Sequence, residues 1–260
     1  MCGIATILLH PQQRSADVWQ AIKETFTQNL LFNEDRGEAA TGLAVVQADG
    51  QVRLHKMPIP AAEFVTTAEY RRLLDGLNAE TILLLGHTRH PTKGDPAKAG
   101  NNHPIQTGPV IGVHNGHIDN DDILFARWDL PRQADVDSEI IFRLLEPYSP
   151  ASLNGQYLAE VRPRLWYLQG RFTFMAWDQR APAQLLVVKH RNPLSLHYQA
   201  DWQALIFSSR YLFLRKTFGR IVVAETVPPD QLLLFNSGSL PQSGHHPIET
   251  LPLRLPEQTT

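Results

Sequence analysis

Two hydrophobic rhythms run along the chain. Short runs rich in Val, Ile, Leu and Phe predict strands at residues 3–9, 42–47, 52–56, 82–87, 110–114, 172–177, 184–189, 204–207 and 231–235. Two pairs of these runs flank short turns, Ala48-Asp49-Gly50 and residues 178–182, as hairpins do. The second rhythm is helical. Val18, Ile22, Phe26 and Leu30 share one face behind Ser15, a possible cap. Thr66 and Glu69 have the spacing of a capping box ahead of Tyr70, Leu73 and Leu74. A third helix is expected from Asp137 through Leu145, with Pro147 ending it. Strands in runs with helices grouped between them predict an α+β layered fold whose sheet is mixed but mostly antiparallel. Residues 91–108 lack periodicity, and a loop of that length is usually functional or disordered. The division expected is a domain over 2–240 and a Pro-rich tail over 241–260, with no internal repeat.

Composition narrows the possible functions. The 24 Lys and Arg nearly balance the 26 Asp and Glu, for a net charge of −2, so neither a polybasic nucleic-acid arm nor an acidic tail is expected. With 43% hydrophobic and 19% charged residues the chain has the make-up of an ordered soluble protein. Its single cysteine excludes an internal disulfide and a zinc–cysteine cluster. No apolar run approaches the ~20 residues of a membrane helix. The apolar opening lacks a basic leader and stops at His10-Pro11, unlike a signal peptide, so a cytoplasmic location is expected.

Cys2 is the sharpest chemical feature. Removal of an initiator methionine before a small residue would leave its α-amine free. The amine and thiol have reference pKa values of about 7.7–8.0 and 8.5, close enough for one to take the other's proton near neutrality. A thiolate made by an adjacent base is a strong nucleophile. A cysteine at this place is equally a small hydrophobe opening a buried strand. Other polar groups follow in fixed order: Asp35-Arg36-Gly37 leading to Thr41-Gly42-Leu43-Ala44, then Gly86-His87-Thr88-Arg89, Asn102-His103-Pro104, His114-Asn115-Gly116 with Ile118 and Asn120, and Asp137-Ser138-Glu139. Arg89 ends a strand, where it is either a surface arginine or a fork for a carboxylate. Asp137 stands where a helix N-cap belongs. Asn115-Gly116 has the make-up of a turn, or of two donors for an oxyanion. His87/His90 and His114/His117 are three residues apart but lie on strand ends and loops, so no metal site is expected.

This ordered set, from Cys2 to about Phe235, resembles the class II glutamine amidotransferase domain of the N-terminal-nucleophile hydrolases. That domain is the glutaminase half of enzymes such as glucosamine-6-phosphate synthase and glutamine phosphoribosylpyrophosphate amidotransferase. The resemblance implies a four-layer αββα sandwich of two mainly antiparallel sheets. It implies that Cys2 is the nucleophile, that Asn115 and Gly116 form the oxyanion hole, and that Arg89 and Asp137 clamp the carboxylate and ammonium of glutamine. Thr92, His103 and Arg36 are implied as further substrate-side residues, although an ion pair of Arg36 with Asp35 or Glu34 fits its sequence nearly as well. No cofactor is implied. The implied partners are glutamine as substrate and a separate ammonia-using synthase, since too little chain follows Phe235 for a synthase domain. The sequence departs from the family after Arg89, with His90, Pro91, Thr92, Lys93 and Gly94 where Trp, Ala, Thr, His and Gly are common, and after Arg36, where Glu38-Ala39-Ala40-Thr41 replace a serine-containing loop. An amidohydrolase for a different amide and a silent glutamine-binding scaffold are the other readings.

Overall fold

A computed structural model describes residues 1–151 and 155–254. One sheet of seven strands contains β1 (Gly3–Leu9), β2 (Ala40–Gln47), β3 (Val52–Met57), β4 (Thr81–Arg89), β9 (Ser195–Gln199), β10 (Ala204–Ser208) and β11 (Glu225–Thr226), in the order β11-β9-β10-β1-β4-β2-β3. The other contains β5 (Ile105–Thr107), β6 (Val110–Ile118), β7 (Gly170–Asp178), β8 (Gln184–Lys189), β12 (Gln231–Asn236) and β13 (Glu249–Pro252), in the order β13-β12-β8-β7-β6-β5. Among the described residues every pairing is antiparallel, rather than mixed.

Three apolar layers hold the sheets in place. Between them, Ile4, Leu8, Leu83 and Leu85 of the first meet Ile111, Val113, Met175 and Val187 of the second. The alternate residues Ala5, Ile7, Leu9 and Leu84 face outward, onto α1 (Ala16–Asn33), α2 (Ala61–Phe64), α3 (Ala68–Asp75) and α7 (Tyr211–Phe218). The outer face of the second sheet packs α4 (Asp121–Arg127), α5 (Glu139–Leu145) and α6 (Tyr157–Leu165). The short α8 (Leu240–Ser243) adds Leu240 to the layer between the sheets. The result is the αββα sandwich. The central strands β1 and β4 are buried at every position because both faces are covered, and each fully buried Leu or Ile contributes roughly 1.5–3 kcal/mol.

The local readings hold at the first helix cap and differ from the structure at several other points. Ser15 caps α1, its side chain accepting from the Val18 amide. At α3 the cap is Thr67, not Thr66: Thr67 Oγ1 accepts from the Tyr70 N–H at 3.3 Å, and Glu69 turns to Arg72 instead of completing a capping box. The third helix begins at Glu139, two residues later than its apolar pattern and Asp137 suggested. Strand β9 escaped the sequence reading because Ser195-Leu196-His197-Tyr198-Gln199 is too polar to register as an apolar run. Within the Pro-rich stretch after residue 240, Glu249–Pro252 adds an edge strand to β12, with Pro252 at the strand's last position, where its missing N–H does least harm. The 91–108 loop contains a 3₁₀ turn at Ala99–Asn101 and most of its far end is β5.

Replacing Thr67 with alanine should lower unfolding free energy by about 0.5–2 kcal/mol, the usual effect of losing an N-cap. Thr66→Ala should cost distinctly less, because the Thr66 hydroxyl only donates to the Glu63 carbonyl at the surface. Urea denaturation of the two variants checks the ranking.

Candidate active site

The inward-facing rows of three strands converge at one end of the gap between the sheets. In β1 the row Leu8, Thr6, Ile4 extends to Cys2; in β4 Leu83 and Leu85 extend to His87 and Arg89; in β6 Ile111 and Val113 extend to Asn115. Alternation with period two thus delivers a thiol, a guanidinium and an amide where the apolar layer ends. Gly3 lets β1 come close to α1 and β4, since a Cβ there would lie 2.4 Å from Thr88 Oγ1 and 2.7 Å from the Asn33 carbonyl oxygen.

Cys2 is 8% exposed. The His90 backbone N–H donates to its sulfur at 3.4 Å. Burial raises the thiol pKa, and this N–H, the Met1 α-amine and the Arg89 guanidinium oppose the rise. Arg36 lies against Cys2 and makes no pair with Asp35 or Glu34. Its Nε donates to the Cys2 carbonyl at 2.7 Å and its Nη2 to Asn115 Oδ1 at 3.4 Å. With Oδ1 so engaged, Asn115 Nδ2 is left buried and without a hydrogen-bond partner among the described residues. Asn115 and Gly116 are not a turn: both lie within β6, opposite Thr173 and Phe172. Gly116 has φ +147°, and a Cβ there would sit 1.9 Å from the Arg171 carbonyl oxygen, so only glycine fits.

Arg89 is 3% exposed and grips its own loop, Nη1 donating to Asn102 Oδ1 and Nη2 to the Lys93 and Gly94 carbonyls, each at 2.7 Å. Asp137 is not the cap of α5, whose N-cap position is Ser138. Its Oδ2 instead accepts the Ile118 N–H at 2.7 Å, and His117 Nδ1 lies 3.4 Å away. Burial raises the Asp137 pKa, opposed by that N–H and by His117. Arg89, Asp137, Thr92 and His103 share with Cys2 a narrow recess of about 10 Å³, room for roughly one water. On its other side Cys2 opens to a cavity of about 490 Å³ that Met1, Thr92, Gly116 and Arg171 also line. Lys93 also lines the recess, but its ammonium is bound to Asp121 at 2.7 Å and to Asp122 at 3.1 Å.

Three histidines crowd against the recess; sequence reasoning had weighed His87 and His114 as metal ligands and His103 as a substrate-side residue. His87 Nε2 is 2.9 Å from the His114 carbonyl oxygen, which can only accept, so the proton sits on Nε2 and Nδ1 is bare. His114 Nδ1 meets Ser138 Oγ at 2.8 Å, and the His103 ring packs 4.2 Å from that of His87. Burial pushes His87 and His114 down to about 3 and His103 well below its ordinary value, so all three are neutral. No cluster of His, Cys, Asp or Glu among the described residues has the arrangement of a metal site. Asn192 was missed; its Nδ2 donates to the Asn115 carbonyl at 2.8 Å. The available signal was a polar residue, His87, breaking an otherwise apolar inward row.

Fold and site together define a class II glutamine amidotransferase sandwich. Residues 87–216, half of the chain, match the family model described as a glutamine amidotransferase domain, and the chain belongs to that family. It is 30% identical over 198 residues to the glutamine–fructose-6-phosphate aminotransferase of Geobacillus kaustophilus, an alignment covering 75% of this chain and 30% of that protein. It is 24% identical over 212 residues to 7-cyano-7-deazaguanine synthase 2 of Sulfurisphaera tokodaii, covering 80% and 43%. The chain therefore spans well under half the length of these relatives. Among solved structures, glutamine phosphoribosylpyrophosphate amidotransferase from B. subtilis superposes with a TM-score of 0.69 at 18% identity, over 98% of this chain and 50% of that one. No described helix is long and apolar enough to cross a membrane.

The neutral histidines make the fold acid-sensitive. Their folded pKa values lie below the unfolded value of about 6.5, so between pH 6.5 and 3 the unfolded chain binds more protons than the folded one. The stability they contribute is fully present above pH 6.5 and is lost as pH falls toward 3. The urea midpoint should be lower at pH 5 than at pH 7.5, and His87→Asn, which keeps a donor for the His114 carbonyl, should narrow the gap. Equal midpoints at the two pH values would contradict this assignment.

Proposed function

We propose that the chain hydrolyses the side-chain amide of glutamine through Cys2, yielding glutamate and ammonia for a separate synthase. The observation that carries this reading is the buried, unpartnered Asn115 Nδ2 beside the nucleophile. An unsatisfied buried donor costs about 1–3 kcal/mol in the resting protein, and a developing oxyanion is the group that would satisfy it. Arg36 aims this donor by holding Oδ1, and the same guanidinium fixes the Cys2 carbonyl.

The chemistry requires removal of whatever precedes Cys2, freeing its α-amine. The amine takes the thiol proton, and the thiolate attacks the carboxamide carbon. Asn115 Nδ2 and the Gly116 N–H stabilise the oxyanion. The α-ammonium protonates the departing nitrogen, leaving a glutamyl thioester, and water activated by the same amine releases glutamate. Arg89 and Asp137 receive the α-carboxylate and α-ammonium of the substrate. Because the recess is narrow and Arg89 is engaged with the Lys93 and Gly94 carbonyls, the 93–102 loop must yield when glutamine enters. The described strands all belong to the amidotransferase sandwich, which supports an acceptor enzyme outside these residues.

Following glutamate and ammonia release from glutamine tests the reading. Cys2→Ala should abolish turnover, and Asn115→Ala should lower kcat by about 10²–10³ with KM little changed, as for loss of one oxyanion donor. Active material in which Met1 remains attached, by intact mass, would sink the mechanism.

A further inference from the structure

The nucleophile stands between two unequal voids. A tetrahedral intermediate at the amide carbon has four substituents: the Cys2 sulfur, the oxyanion directed at Asn115 and Gly116, the carbon chain running to Arg89 and Asp137, and the amide nitrogen. With the recess taken by the carbon chain, the nitrogen is left to point at the cavity of about 490 Å³ on the other side of Cys2. Glutamine places only hydrogens there, and ammonia needs about the ~30 Å³ of a liquid water. The cavity is instead the size of a small-molecule site, roughly 300–1,000 Å³.

Its rim has a definite chemistry. Arg171 stands opposite His117 in the β6–β7 register, and both line the cavity. His117 is within 3.5 Å of Asp119 and 3.4 Å of Asp137, so it is already shared with carboxylates. The Arg171 guanidinium is exposed, and no hydrogen bond or ion pair engages it among the described residues. An uncommitted guanidinium at the mouth of a site is suited to a carboxylate, which it can hold with two parallel hydrogen bonds.

We propose that this cavity is a leaving-group subsite, and that the chain also cleaves γ-glutamyl amides whose nitrogen carries a carboxylate-bearing substituent held by Arg171. This rests on the amide-hydrolysis reading above and extends it. The step balances as for glutamine: the Cys2 thiolate adds to the γ-carbonyl, the C–N bond breaks, and the α-ammonium gives its proton to the departing amine. The free amino acid leaves through the cavity, and water then cleaves the thioester to glutamate and thiol.

The experiment compares kcat/KM for L-glutamine, γ-L-glutamylglycine and the uncharged γ-L-glutamylethylamide, in the mature enzyme and in Arg171→Gln. The expected result is cleavage of γ-L-glutamylglycine within tenfold of glutamine and at least tenfold better than the ethylamide. Arg171→Gln should lower the γ-L-glutamylglycine value at least tenfold while leaving glutamine within twofold, which also shows that the variant folds. Hydrolysis of glutamine with γ-L-glutamylglycine below one-hundredth of its value overturns the subsite and leaves the glutaminase standing; the open cavity then serves another purpose, such as receiving a synthase. An equal loss on both substrates in Arg171→Gln also overturns it. If none of the three amides is cleaved, the hydrolase reading fails and the subsite with it.

Discussion

The Arg36 guanidinium ties the two halves of the site together. From the 3₁₀ turn after α1 it reaches the Cys2 carbonyl on the seven-stranded sheet and Asn115 Oδ1 on the six-stranded sheet. Burial pulls its pKa down, chiefly through desolvation and further through Arg210, so its charge is tolerated only because both acceptors are in place. A hydrogen bond to a charged group contributes about 1.5–3 kcal/mol. That is enough to hold the Asn115 amide in the one flip that leaves Nδ2 unpaired. One planar group thus bridges the Cys2 carbonyl and the Asn115 side chain across the two sheets.

Around that tie the sandwich acts as a frame. Cys2, Arg89 and Asn115 each end an apolar inward row, so the layer that stabilises the fold also fixes where the polar groups emerge. His87 adds a second link between the sheets through the His114 carbonyl, immediately before Asn115. Asn192 holds the next carbonyl, that of Asn115 itself. The backbone of β6 is therefore held on successive residues, while Asn115 Nδ2 stays without a partner among the described residues.

Much of this was legible in the chain. The strands of the two-faced sheets announced themselves as apolar runs, because burial on both sides demands it, and α1 did so through its four-residue repeat behind Ser15. Cys2, Arg89, Asn115, Gly116 and Asp137 all fall at one end of the intersheet gap. The local alternatives fared differently. Asp137 looked like a helix cap but spends its carboxylate on the Ile118 amide, and Thr66 looked like a cap although its neighbour Thr67 does the work. These are choices between neighbouring groups of like chemistry, decided by where a distant strand or helix presents its N–H.

What the sequence determined by itself is therefore the alternation that builds two antiparallel sheets and the identity and order of the reactive side chains. Only the tertiary structure decided that Arg36 bonds the Cys2 carbonyl instead of pairing with Glu34 or Asp35, that three histidines lie together and neutral against the recess, and that a wide cavity opens beyond Cys2, with Arg171 unpaired among the described residues. Periodicity is a local property, written in neighbouring residues. Desolvation, an unpaired donor and an empty volume exist only where segments far apart in the chain enclose the same space.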